Sequence, residues 1–437
     1  MPRTLEGRSA GLRRIFGNLS LLISGKAGAG IISLMYLVIV ARTLGAHNYG
    51  VLVLIHAYVT LVGGIIAFSG WHGIVRFGSL ALEQSDPERF LRIGRLLTLV
   101  EIGFGIAAIL IAILLIPVVG PHMDWPPDAI RFAGVYSLAT LANVRSTPLG
   151  LLQLRGRFDL IAVHHLVSPL VRLAGSLLVW LVGGGLIGFL AVWLVSALAE
   201  WASMWVLGLW QLHRMALGVP FAGPVRGAIS ENEGLLPFIV ATNVDITLRE
   251  LAPRLVPLSI GWLLGPTAVG LYALAQRASV VLEQPAALLG QASYAVLAKL
   301  AVDREYDQFR HTVWRSAAST LILSVPVVLV LAIAGPNILG LLGGRSFRSG
   351  SVLLVWLAAA RGIAATSPPI TSGLIALGRP SRSIMANLAS NLLLFPLLLL
   401  LLSRFGVDGS GYHAVVQAAC AAIALAWLFR ASARQLA

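Results

Sequence analysis

Residues 238–264, FIVATNVDITLRELAPRLVPLSIGWLL, set Asn243, Asp245, Arg249, Glu250 and Arg254 into an otherwise apolar run. Asp245 and Arg249 stand at i,i+4, as do Glu250 and Arg254, so each opposite-charge pair shares one helical face. Two kinds of chemistry are open to such groups. The planar fork of an arginine can hold two oxygens of a phosphate at once. A carboxylate in a pore can take up and release a cation. An ionised side chain at mid-bilayer costs ~2.5–3.5 kcal/mol, so it must face a cavity or a partner. Pro253 and Pro257 lie among these residues, and each removes a helix hydrogen bond and promotes a kink. A broken, charged helix at membrane depth lines water or protein.

Other charges are scattered through apolar runs: Lys26 in SGKAGAG, then Glu101, Arg145, Arg172, Glu200, Arg277, Glu283 and Arg361. Lys26, Arg249, Arg254 and Arg277 are expected to face a water-filled lumen. Arg172, Glu200 and Glu101 are read as structural ion pairs or as side chains snorkelling to the headgroups. Basic groups outnumber acidic ones, so the lumen would be cationic and would attract an anionic headgroup.

Several chemistries are excluded. SGKAG lacks the first glycine of a P-loop, because residue 20 is Ser, and Ala27 replaces the hydroxyl that would bind Mg²⁺, so ATP is not the direct energy source. Cys420 is the single cysteine and is expected to be a small buried apolar residue, with no disulfide and no cysteine metal site. His164 and His165 are adjacent rather than i,i+4, expected in a cytoplasmic loop, and no metal site is expected. No paired carboxylates for acid–base work stand outside 238–264, and no external loop is long enough for a catalytic domain. The chain is therefore not expected to be an enzyme, to need a cofactor or to bind nucleic acid.

The elements that must position these residues follow from composition. Of 437 residues 57% are hydrophobic and 11% charged, whereas a soluble domain carries roughly a quarter charged. Apolar runs of membrane-crossing length recur throughout. Twelve spans are expected: 19–41, 51–71, 96–119, 133–152, 166–182, 186–209, 236–263, 269–289, 317–334, 352–374, 384–402 and 412–428. The fold class is all-α and polytopic. The net charge is +14. Basic residues concentrate in alternate connections, with Arg42, Arg131, Arg345, Arg348 and Arg404 on the poorer side, so both termini are expected in the cytoplasm. The plasma membrane is the expected location.

The chain also repeats itself. In LGAHNYG (44–50) and LGPTAVG (264–270), Leu44 aligns with Leu264, Gly45 with Gly265 and Gly50 with Gly270, followed by Leu54 with Leu274. PLGLLQLRGR (148–157) and TSGLIALGRP (371–380) echo one another at nearly the same offset, matching Gly150 with Gly373 and Leu151 with Leu374. Two echoes at one offset argue for an internal repeat. Six spans per half make it parallel, related by an axis along the membrane normal. The expected organisation is an N-terminal six-helix lobe (1–215), a cytoplasmic linker (216–234) and a C-terminal six-helix lobe (235–437).

ARTLGAHNYGVLVL, LLQLRGRFD, GWLLGPTAVGLYALAQR and PNILGLLGGRSFRSGSVLL, in this order and spacing, resemble the bacterial polysaccharide (O-antigen and repeat-unit) flippases of the multidrug/oligosaccharidyl-lipid/polysaccharide exporter superfamily. The resemblance implies two lobes around a central cavity. It implies flipping of a polyprenyl-diphosphate-linked oligosaccharide repeat unit to the periplasmic leaflet by ion-coupled alternating access, for surface polysaccharide such as lipopolysaccharide. It assigns substrate contact to Lys26, Arg249, Arg254 and Arg277. It leaves Asp245, Glu250 and Glu283 as candidates for coupling to a proton or sodium ion. Membrane lipids and a polysaccharide polymerase are the further partners it suggests. The alternative is an ion-coupled multidrug exporter of the same superfamily, although a drug exporter for organic cations would favour an acidic lumen. No C-terminal pair of extra helices is found, which departs from the fourteen-helix peptidoglycan-precursor flippases.

Overall fold

A computed structural model describes residues 5–215, 223–280, 296–297, 299–300, 302–303 and 305–433, with side chains from Gly28 onward apart from Arg249, Ala252 and Pro380. Glu283 lies outside the described residues. Those described are helical or in short connections, as expected for a chain whose backbone must satisfy its own hydrogen bonds in lipid.

Helix α1 is Leu5–Ile66, interrupted at Gly45, where φ 68° and ψ 177° leave the helical region. A short helical stretch with a π turn at Ile74–Gly78 leads to α2, Pro87–His122, which Asp86 caps by accepting from the Arg89 N–H at 2.9 Å. Next come α3 (Pro127–Tyr136), a 3₁₀ stretch (Ser137–Asn143) and α4 (Ser146–Leu154), followed by α5 (Phe158–Leu181) and α6 (Leu186–Arg214). Helix α7, Leu235–Ser279, is interrupted at Gly265 with φ 79° and ψ 177°. The C-terminal helices are α8 (Tyr306–Gly343), α9 (Ser351–Ala364), α10 (Ser367–Ala376), α11 (Pro380–Leu393), α12 (Phe395–Phe405) and α13 (Asp408–Ala433).

Nine helical segments among the described residues are long and apolar enough to cross a membrane. Dividing α1 and α7 at their glycines and counting the interrupted α3–α4 run gives the twelve transits that the apolar runs require. Outward-facing Leu114, Leu181 and Ile333 are strongly exposed; in a bilayer the lipid solvates them, and helix contacts rest on small residues instead.

The chain forms two compact units. One comprises Met1–Thr43 with Ile55–Leu251, the other Leu44–Leu54 with Ala252–Ala437. The first has a core around Ile74, Phe77, Phe90, Leu97 and Ile239. The second is centred on Phe309, Val313, Ile370, Leu374 and Phe429.

The repeated glycines explain themselves inside the second unit. Gly45 and Gly265 adopt the same left-handed φ, which costs glycine nothing. Pro266 then opens the following helix, where its missing N–H is no loss. Five residues beyond each kink, the two copies meet. A Cβ on Gly50 would lie 1.8 Å from the Pro266 carbonyl oxygen, and a Cβ on Gly270 would lie 2.1 Å from that of Ala46. His47 Nδ1 stands 3.3 Å from Thr267 Oγ1 across the same approach. The second echo is a shared helix cap. Gly156 after α4 and Gly378 after α10 have φ 65° and 71°. In each, the following N–H bonds back to a carbonyl in the last turn, Arg157 to Leu152 and Arg379 to Leu374.

Three expectations change. Helical dihedrals run through Pro253 and Pro257, and the single interruption in α7 is Gly265; a helix breaks where glycine permits a left-handed residue. His164 and His165 lie within α5, not in a loop, and His164 is buried. Cys420 is exposed on α13, since an apolar residue in a bilayer need not be covered by protein.

Candidate functional site

The first unit holds a chain of buried polar contacts built on a break in the fourth transit. Between the 3₁₀ stretch and α4 the backbone leaves helical geometry at Val144 and Arg145, freeing the N–H groups of Ser146 and Thr147. Glu101 of α2, itself buried, accepts from both, at 3.2 Å for Thr147, and from the Thr147 hydroxyl at 3.2 Å. A carboxylate brought from another helix thus caps α4. Glu101→Ala should lower the melting temperature in detergent by the equivalent of about 1–3 kcal/mol. Glu101→Gln, which keeps one acceptor, should lose less, and equal melting of both variants and wild type would contradict the cap.

Arg145 Nη1 donates to Glu200 of α6 and to His164 Nε2, the latter at 3.0 Å. Because arginine can only donate, His164 Nε2 must be the bare nitrogen, and Nδ1 therefore donates to the Ser203 hydroxyl 2.9 Å away. One turn of helix deeper, Arg172 donates from Nε to Ser196 Oγ at 2.9 Å and from Nη1 to the Tyr36 hydroxyl at 3.3 Å. Its guanidinium lies 4.5 Å from the Trp193 ring centroid. His56 packs edge-on to the same ring and pairs with Tyr136 at 2.8 Å. Arg172, Glu200 and Glu101 are all engaged by side chains or backbone, as structural groups should be.

Near the start of α7, Asn243 clamps the backbone of Ser69, accepting its N–H at 2.6 Å and donating to its carbonyl at 3.1 Å. Asp245 acts electrostatically on His72. Asp245, Glu250 and Arg254 all have partners. Lys26 and Arg249 sit on α1 and α7, and their side chains lie outside the described residues.

In the second unit, Arg277 is exposed near the end of α7, and Arg361 of α9 lies within electrostatic reach of it. Arg361 Nε donates to Ser279 Oγ at 2.7 Å, and Ser279 in turn donates to the Gln276 carbonyl at 2.8 Å. Arg361 borders a cavity of about 680 Å³. On α7 the walls are Pro253, Val256, Tyr272 and Gln276; on α11 and α13 they include Asn387, Asn391, His413 and Gln417. Gln417 Nε2 donates to Asn391 Oδ1, and His413 donates to the Leu394 carbonyl at 3.0 Å. No Asp or Glu lines this cavity among the described residues. Of the expected site residues, the structure thus brings Arg277 within electrostatic reach of Arg361. It adds a set of carboxamides that a search for charge passes over. No group of three metal-ligating side chains occurs among the described residues.

The fold and these contacts can be set beside known proteins. The inner membrane protein YghQ of Escherichia coli (strain K12) is 26% identical over 288 residues, which is 66% of this chain and 81% of that protein. An inward-facing multidrug resistance MATE family transporter of the MOP superfamily superposes with a TM-score of 0.73 at 12% identity, covering 93% of this chain and 95% of its own. The lipid II flippase MurJ, in an inward closed conformation, gives 0.72 at 13% identity, covering 94% and 87%. At such identities these likenesses speak to fold. Residues 39–351 match the family described as polysaccharide biosynthesis protein, which takes in both copies of the glycine signature and the polar contacts of the first unit apart from Tyr36. The chain belongs to that polysaccharide biosynthesis protein family and has the fold of the MOP superfamily transporters.

Proposed function

We propose that this protein flips polyprenyl-diphosphate-linked oligosaccharide repeat units from the cytoplasmic to the periplasmic leaflet of the inner membrane, by ion-coupled alternating access of two six-helix lobes (1–215 and 235–437) about a central cavity. The observation that carries the reading is the sign of the charge beside the second unit's cavity. Arg277 lies within electrostatic reach of Arg361, and the cavity that Arg361 borders has no carboxylate in its wall among the described residues. Guanidinium groups at membrane depth suit a diphosphate, which presents several oxygens to each planar fork. An exporter of organic cations would need the opposite sign. The family match supports the polysaccharide side of the reading.

In this scheme Lys26, Arg249, Arg254 and Arg277 hold the diphosphate or adjoining sugars. Asp245, Glu250 and Glu283 are the candidates for a proton or sodium ion. Both termini are cytoplasmic, and a polymerase would receive the flipped unit in the periplasm.

The test is lipid extraction from cells depleted of the protein. Polyprenyl-diphosphate oligosaccharide should build up at least tenfold while surface polymer falls. Arg254→Ala and Arg277→Ala should reproduce the build-up in cells where the variant protein still inserts. Wild-type export by both would refute the cationic binding site. No build-up, together with new sensitivity to cationic drugs, would favour the multidrug exporter.

A further inference from the structure

We infer that the basic end of the second unit holds an anionic glycerophospholipid, its phosphate on Arg379 and its acyl chains along α11 and α13. The inference is independent of the flippase reading and starts from the internal repeat. Arg157 and Arg379 occupy the same position in the two copies. Each follows the left-handed glycine of the shared cap, Gly156 or Gly378, and each turns its N–H back to a leucine carbonyl, Leu152 or Leu374. In the first copy the side chain is answered. Arg157 donates to both carboxylate oxygens of Asp159, at 2.9 and 2.8 Å, and to Gln211 of α6 at 3.4 Å.

In the second copy the arginine is kept and its partners are not. Ser381 stands where Asp159 would be, two residues beyond the arginine. The Ser432 hydroxyl, near the end of α13 as Gln211 is near the end of α6, accepts from Arg382 instead, at 2.7 Å. Asp307, an acid at the start of α8, pairs with Arg310. Arg379 Nη1 is enclosed and has no hydrogen-bond acceptor among the described residues. An enclosed N–H without an acceptor is costly. A ligand that draws the fork outward and offers it two anionic oxygens relieves that cost and adds charge-assisted bonds. Arg382, whose N–H bonds to the Arg379 carbonyl at 3.3 Å, and Arg430, whose guanidinium lies 5.0 Å from the Trp314 ring centroid, raise the positive potential at the same end.

Position selects a lipid over a free anion. Met385 follows Arg382 by one turn of α11, and Ile423 and Trp427 precede Arg430 on α13; all three are strongly exposed. They do not face the polar cavity of this unit. Asn387 and Ala421 line that cavity, and two positions along a helix turn a side chain to nearly the opposite face, so Met385 and Ile423 point away from it. Trp427 lies one turn beyond Ile423 on the same stripe. An apolar face that ends in arginines is the complement of acyl chains that end in a phosphodiester. Trp314 beneath Arg430 suits the headgroup level, where tryptophan is enriched. A zwitterionic headgroup is a poorer match, because its own cation meets the arginines.

The experiment is native mass spectrometry of the full-length, delipidated protein titrated with dioleoyl phosphatidylglycerol, dioleoyl phosphatidylcholine or inorganic phosphate. The tightest phosphatidylglycerol should bind more strongly than phosphatidylcholine, and inorganic phosphate should not displace it. Arg379→Gln should weaken that site about fivefold, the effect of one arginine at an anionic surface. Ser381→Asp rebuilds the ion pair of the first copy. It should weaken the site as much, while the lipid-free variant melts no lower than wild type, which separates loss of the site from misfolding. Ser381→Asn, of the same size without the charge, should bind as wild type does. So should Arg345→Gln, which removes one charge from the sparsely charged side. Equal affinity for the two lipids, unchanged binding in Ser381→Asp, an equal loss in Arg345→Gln, or displacement by inorganic phosphate would each overturn the inference.

Discussion

Gly270→Ala should leave almost no well-behaved protein after detergent extraction. The added methyl would sit 2.1 Å from the Ala46 carbonyl oxygen and 3.3 Å from the Gly50 nitrogen. Both are backbone atoms, so no side chain can swing aside, and the two helical turns must separate. Overpacking in a well-packed core typically costs ~1–3 kcal/mol; a clash this deep belongs at the top of that range. For a unit of this size that corresponds to a fall in Tm of roughly 6–12 °C. Gly50→Ala should behave the same way, since its methyl would lie 1.8 Å from the Pro266 carbonyl oxygen. Gly103→Ala is the control. Nothing lies within 4 Å of its Cβ position on α2, and alanine is the better helix former by ~1 kcal/mol. Size-exclusion profiles and melting curves of the three variants check the prediction, and a wild-type profile for Gly270→Ala would show that the two signatures do not pack together.

The second large effect is at Arg145. Arg145→Ala removes the donor shared by Glu200 and His164 and leaves Glu200, about three-quarters buried, without its direct ion-pair partner and with Arg172 as the cation within electrostatic reach. Breaking a fully buried pair by deleting one partner costs ~3–5 kcal/mol; this pair is partly exposed and Arg172 remains within reach of Glu200, so the loss belongs at or below the lower end of that range. Adding Glu200→Gln should recover much of the loss, since the stranded charge goes with it. A double-mutant cycle in detergent therefore has a defined expectation: the double variant melts above Arg145→Ala alone. If the two losses simply add, Arg145 and Glu200 are not coupled and the contact seen here contributes nothing to stability.

These two results bear on what could be read from residues alone. The glycine echo was legible because both its features are local. A left-handed residue needs glycine, and a close approach needs glycine again five positions later. The transits were legible for a similar reason, because hydrocarbon thickness fixes the length of an apolar run. The partners of Arg145 were not. Glu200 and His164 lie 55 and 19 residues away on other helices, and in a bilayer nothing in local periodicity records which faces meet. The cap on α4 hid in the same way, because its acceptor comes from Glu101 instead of a neighbouring Ser or Asp. In the second unit, Asn387, Asn391 and Gln417 carry no charge and do not stand out from a helix where amides are only mildly unfavourable. Their shared cavity exists only once α11 and α13 are side by side.

The paired glycines also set a timetable. Residues 44–54 belong to the same compact unit as residues beyond Ala252, and their backbone contacts are with Pro266 and Gly270. Ribosomes add about 5–20 residues per second, so the turn between the first two transits leaves the ribosome roughly 10–45 seconds before its partner. During that wait its small-residue surface is open to lipid and to the insertion machinery. A nascent chain stalled before Leu264 would have both helices of its first hairpin packed in the first unit, while the turn between them still lacked the backbone it closes on.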